Sequence, residues 1–174
     1  MTTEDRRKEI MNMLKTSSEP IKGTNIAKIL KVSRQVIVQD IAILRAEGSD
    51  IMATSSGYLI ARYNNEGRIL KSIVTRHFNI DQAKEELMVM VDNGAIVIDV
   101  VVSHPVYGDV QGFLNLSCKA EVDKFVQKVK SGKVEFLSSL TEGIHVHTLE
   151  VPSDESFVNI KTQLKEKGYL VEEL

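Results

Sequence analysis

The chain has 174 residues, of which 43% are hydrophobic and 26% charged, with a net charge of −2, the balance of a soluble protein of one large or two small domains. Its single cysteine, Cys118, excludes an internal disulfide and suits a reducing cytoplasm. The opening residues carry no apolar leader, and the longest apolar run, Ala95 to Val102, is interrupted by Asp99 and is strand-sized, so neither secretion nor membrane insertion is expected.

The charge is unevenly spread. Residues 1–62 carry a net +3 and residues 63–174 a net −5, which points to a nucleic-acid contact confined to the first part. Glu4 to Leu14 reads as a helix, with Ile10, Met11 and Leu14 as its apolar stripe, and Ser17-Ser-Glu-Pro20 ends it. Thr24 is placed as the N-cap of a short helix to Leu30. After a tight turn at Lys31-Val32, Ser33 caps a third helix to about Glu47, stopped by Gly48. Ile51 to Ile60 reads as a small hairpin turning at Ser56-Gly57. Polar Tyr63-Asn-Asn-Glu-Gly67 marks a boundary, giving a first domain over 1–64 and a second over 65–174.

Helix, tight turn, helix and hairpin describe a winged helix-turn-helix, whose second helix keeps one face in the core and offers the other to the major groove. Ile37, Ile41 and Leu44 form the inward face of the third helix. Arg34, Gln35, Val38 and Gln39 are left outward, where Arg suits guanine, Gln suits adenine and Val a thymine methyl. Ser33 places backbone N–H groups for a phosphate, Arg45 and Arg62 are candidates for further backbone contacts, and Thr54-Ser55-Ser56 would be the wing. The segment Val32-Ser-Arg-Gln-Val-Ile-Val-Gln-Asp-Ile-Ala-Ile-Leu-Arg45 resembles the winged-helix module of biotin-repressor-type regulators.

Beyond residue 65 the elements change. A strand lies within Arg68 to Phe78, and a helix runs from Asn79 to Asn93, with Asn79 and Gln82 spaced as a capping box. Strands follow at Ala95 to Ser103 and Asp109 to Leu116, a helix at Ala120 to Val129, a strand at Ile144 to Val151 and a last helix from Ser153 to Lys167. The order β-α-β-β-α-β-α implies a mostly antiparallel sheet covered by helices, so the whole chain reads as α+β, a winged helix followed by an α+β domain.

Four histidines stand out in this part. His145 and His147, two apart on a strand, leave the same face, a pattern also found on solvated strand faces. His77 ends the first strand and Glu85 lies on the second turn of the helix that follows, so strand end and helix can converge on one point. Three imidazoles and a carboxylate suit zinc, nickel, iron or manganese. His104 and Tyr107, in the turn Ser103-His-Pro-Val-Tyr-Gly108, can hydrogen-bond a small anion or ring, or simply shape a β-turn.

Taken together, His77 with the Glu85 helix, His104-Pro-Val-Tyr-Gly108 and Gly143-Ile-His-Val-His-Thr148 resemble the three-histidine (3H) domain over residues 69–174. In that family the domain follows a biotin-repressor-type winged helix, and members include niacin-responsive repressors of NAD-biosynthesis and niacin-uptake genes. The resemblance implies nicotinic acid as co-repressor and a transition metal on His77, Glu85, His145 and His147, with His104 near the same pocket. Glu86 replaces Glu85 if the helix register is off by one. The expectation is a homodimeric, non-enzymatic repressor on a double-stranded operator. A sensor of another small acid or an amino acid is the alternative, and behind it a metal-dependent hydrolase fused to a DNA-binding domain, for which no separate nucleophile or base stands at a suitable spacing.

Overall fold

The computed structural model describes residues 2–17, 19–54, 56–60 and 67–172. The chain divides into two compact units, residues 1–63 and 64–174.

In the first unit, helix α1 (Thr3–Thr16) starts with a reciprocal cap. The Thr2 hydroxyl accepts from the Asp5 N–H, and the Asp5 carboxylate accepts from the Thr2 N–H. Helix α2 spans Gly23–Leu30 and α3 spans Arg34–Ala46. Thr24 does not cap α2; Lys22 does, without a side-chain bond. The cause is a two-way backbone bridge between Ile21 and Tyr58, which holds Ile21 extended and lets the helix begin directly after it. Lys31 adopts the left-handed conformation (φ 54°) that turns α2 into α3, and the Ser33 hydroxyl accepts from Val36 N–H at the head of α3. Strands β1 (Ile51–Thr54) and β2 (Gly57–Ile60) form the antiparallel hairpin. Ile37, Ile41 and Leu44 of α3 join Ile10, Leu14 and Ile26 in one core, each such side chain contributing about 1.5–3 kcal/mol by burial. Ser55 of the wing, and Arg62 and Tyr63 to Glu66 at the boundary, lie outside the described residues.

In the second unit the elements are β3 (Ile69–Arg76), α4 (Ile80–Asp92), β4 (Ile96–His104), β5 (Gly108–Leu116), α5 (Lys119–Gly132), a 3₁₀ turn at Leu137–Thr141, β6 (Ile144–Val151) and α6 (Asp154–Glu166). The four strands lie in the order β5-β4-β6-β3, every neighbouring pair antiparallel. Leu87 and Met90 of α4, Val122 and Val126 of α5, and Ile160 and Leu164 of α6 share one core with Val97, Leu116, Leu149 and Val151 of the strands. The capping box on α4 is displaced: Asn79 accepts from the Asp81 and Gln82 N–H groups, while the Gln82 side chain accepts from Phe78 N–H, one residue before the cap. Among the described residues, no helix is long and apolar enough to cross a membrane.

Two irregularities shape the sheet. Against β6, β4 carries one extra residue, Ile98, because Val97 pairs with Leu149 and Asp99 with Thr148. The bulge shifts the parity of β4, so Val97 before it and Val100 after it serve the same core. The 3₁₀ turn was not expected from the sequence; it brings Leu137 against Gly112 of β5, where a Cβ would stand 3.0 Å from the leucine side chain.

Candidate nucleic-acid face and metal centre

On α3, Ser33, Arg34, Gln35, Val38 and Gln39 are all exposed, and Ile37 and Ile41 are buried beneath them. The helix thus offers a mixed polar and apolar outer face at its N-terminal half. Arg45, also exposed, has its Nε donating to the Ile51 carbonyl at 2.7 Å, which ties the end of α3 to the hairpin. On the inner side, the Arg6 guanidinium makes a two-pronged contact with the buried Asp40 carboxylate, 2.5 and 3.2 Å, pinning α1 to α3.

In the second unit, β3 and β6 run side by side with Thr75 opposite His145 and Ile73 opposite His147. The alternation of these strands points Thr75, His77, His145 and His147 inward, and all four are buried. Helix α4 lies over them and contributes Glu86, fully buried. One carboxylate oxygen, Glu86 Oε1, stands 3.0 Å from His145 Nε2, 3.1 Å from His147 Nε2 and 3.1 Å from the Thr75 hydroxyl. His77 completes the group: its ring centroid is 4.7 Å from that of His145. Ligand atoms of His77, Glu86 and His145 all lie within 4.8 Å of one another. Gly143 makes this close approach possible. It takes φ +88°, and a Cβ there would meet the His77 carbonyl oxygen at 2.3 Å.

The hydrogen bonds behind the imidazoles fix their tautomers. His145 Nδ1 is 2.8 Å from the Gly143 carbonyl and His147 Nδ1 is 2.7 Å from the Asp99 carbonyl. A carbonyl only accepts, so each Nδ1 carries the proton and each Nε2 presents its lone pair to Glu86. Two lone pairs facing a carboxylate repel it unless a second proton or a cation intervenes. Burial alone would push the Glu86 carboxyl up; its close contacts with His145 and His147 outweigh burial and hold it well below the usual carboxylate range. Burial pushes His77 down to about 4, against the opposing pull of the Glu86 charge, and keeps this imidazole neutral at ordinary pH. Among the described residues Glu86 Oε2 is buried with no hydrogen-bond partner, a state that buried polar groups rarely show. A divalent cation would supply positive charge and a partner for that oxygen, and the imidazole and carboxylate donors fit such an ion.

The cluster forms one wall of a cavity of about 290 Å³ whose other walls are mostly apolar, among them Leu87, Val100, Phe125, Val129, Phe136 and Leu137, with Glu135 also on the lining. An apolar cavity of about 150 Å³ accepts a benzene ring, so this one has room for a one-ring ligand. Ser138, from the 3₁₀ turn, lines the cavity with its hydroxyl 3.5 Å from His77 Nε2.

Three of the residues expected from the sequence as metal ligands, His77, His145 and His147, therefore come together, and Glu85 does not join them. Its carboxylate is engaged by Lys167 Nζ and the Tyr169 hydroxyl, each at 2.5 Å. The reason is helical phase. Ala83, Leu87 and Met90 form the buried stripe of α4, and position 86 falls on that stripe while 85 faces away. His104 and Tyr107 do not line the cavity either. His104 lies four residues beyond Val100, the partner of His147, a separation of roughly 13 Å along a strand at about 3.3 Å per residue. Its Nδ1 accepts from the Val106 and Tyr107 N–H groups, so the ring shapes the turn, with Tyr107 exposed beside it. Thr75 and Ser138 were missed. Thr75 could have been found as the inward residue preceding His77 by two on β3; no periodicity in 133–143 announces Ser138.

Residues 6–59 match the HTH domain and residues 71–173 the 3H domain. Over 170 residues the chain is 42% identical to the "Probable transcription repressor NiaR" of Thermotoga maritima, covering 98% of this chain and 95% of that one. Over 171 residues it is 37% identical to the "Transcription repressor NadR" of Bacillus subtilis, covering 97% and 94%.

Proposed function

This chain belongs to the 3H-domain family, in the form with an N-terminal helix-turn-helix, and from that premise we propose that it is a DNA-binding transcription repressor whose 3H domain senses nicotinic acid. Residues 1–64 are the DNA-binding domain and residues 65–174 the domain for metal and effector. The observation that carries this reading is the apolar cavity ending on buried His77, Glu86, His145 and His147, in a chain 42% identical over nearly its whole length to a protein named as a probable repressor. A single-ring acid suits both walls, its ring against Phe125 and Phe136 and its polar atoms toward the cluster.

Ser33, Arg34, Gln35, Val38 and Gln39 enter the major groove, and Arg45 steadies the hairpin beside them. His77, Glu86, His145 and His147 would hold a divalent transition metal at the inner end of the cavity, where it would supply positive charge. Within this reading the protein acts in the cytoplasm as a homodimer, two recognition helices meeting half-sites about one helical turn apart. Effector and operator then strengthen each other's binding by the same factor. The genes controlled are those of niacin uptake or NAD biosynthesis.

The test is isothermal titration of nicotinic acid into metal-loaded protein, beside a His145→Ala variant, with DNA from upstream of niacin-uptake genes assayed with and without the acid. Binding that is lost in the variant, and DNA affinity that rises with the acid, support the reading. A metal-loaded protein that ignores nicotinic acid removes the niacin assignment.

A further inference from the structure

We propose that Thr75 positions Glu86 for the cation, through its hydroxyl proton; the inference rests on the metal reading above. Thr75 is the penultimate residue of β3 and fully buried, where valine would fill the same volume without a polar atom. A buried hydroxyl is costly unless bonded, and this one has two neighbours, Glu86 Oε1 and His145 Nε2, each at 3.1 Å. It has one proton to give. His145 already donates from Nδ1 to the Gly143 carbonyl, which leaves its Nε2 lone pair directed into the cluster. Of the two acceptors the charged carboxylate is the stronger, and the hydroxyl proton goes to Glu86 Oε1. A β-branched side chain on a strand has little χ1 freedom, so Thr75 is a stiff donor. It fixes one oxygen of Glu86 and leaves Oε2, which has no hydrogen-bond partner among the described residues, to be satisfied by the ion.

The experiment uses the full chain and Co(II) as probe, measuring affinity by chelator competition and coordination geometry by visible absorption. Thr75→Val should bind Co(II) about 10- to 100-fold more weakly, the range for removing a supporting partner of a metal ligand, and should shift the visible bands. Thr75→Ser, which keeps the hydroxyl, should restore both. Thr75→Ala serves if the valine variant does not fold, with the same loss expected. Wild-type affinity and spectrum in the hydroxyl-free variants would overturn the proposal. So would an equal loss in Thr75→Ser, since that would assign the effect to shape. Failure of the unaltered protein to bind Co(II) is a separate result, which removes the metal reading and this inference with it.

Discussion

The helix-turn-helix unit carries its polar recognition groups on the outside and the sheet unit carries its own on the inside. In the first, Ser33, Arg34, Gln35, Val38 and Gln39 stand on the surface of α3, and Asp40 is the buried charge beneath them. In the second, Thr75, His77, Glu86, Ser138, His145 and His147 occupy the centre. An exposed recognition face is nearly free of stability constraints, because water solvates it when no partner is bound. An interior cluster has no such recourse. Each polar atom needs a partner within the protein or an ion, so binding and folding draw on the same interactions.

The largest expected effect lies at the exception in the first unit. Arg6→Ala leaves the Asp40 carboxylate without its guanidinium partner, and should destabilise the chain in urea unfolding more than any of the changes below. A loss under about 1 kcal/mol would rank the contact with ordinary surface pairs and make the first unit's interior less dependent on charge than described. Next come the two adjacent glutamates. Glu86→Gln should weaken Zn(II) binding by at least about 100-fold, roughly 2.7 kcal/mol. Glu85→Gln should leave it unchanged and cost at most about 1 kcal/mol of stability, since only an exposed contact with Lys167 and a bond from Tyr169 are altered. The reverse outcome would place the ligand on the outer face of α4. The smallest effect is at the surface: Arg34→Ala should weaken operator binding by about 1–3 kcal/mol in fluorescence anisotropy while shifting unfolding by no more than about 0.5 kcal/mol. A large stability loss there would break the contrast between the units.

What the sequence made legible follows the same division. The outer face of α3 could be read because Ile37, Ile41 and Leu44 fix the phase of the helix, and everything else on it faces out. The strands and helices of the second part were readable from their periodicity, and the same-face placement of His145 and His147 from strand alternation alone. The choice between Glu85 and Glu86 needed the phase of α4, which Ala83, Leu87 and Met90 do encode. The place of His104 needed the length of β4 and its pairing register, which depend on partners distant in sequence. The 3₁₀ turn with Phe136 and Ser138 was invisible because 133–143 has no repeating apolar spacing, and its course is set by contacts such as Leu137 on Gly112.

The extra residue at Ile98 has a consequence for how this chain can change over generations. The bulge places the Asp99 carbonyl behind His147, and the Asp99 carboxylate accepts from Thr148 N–H and the Gln111 side chain. Because side chains alternate, gaining or losing one codon between the bulge and the turn at His104 would invert the two faces of the strand beyond the change. Val100 to Val102 can therefore drift in composition among apolar residues while the length of the segment stays fixed. Point substitutions there are open to selection, and single-residue insertions and deletions are closed.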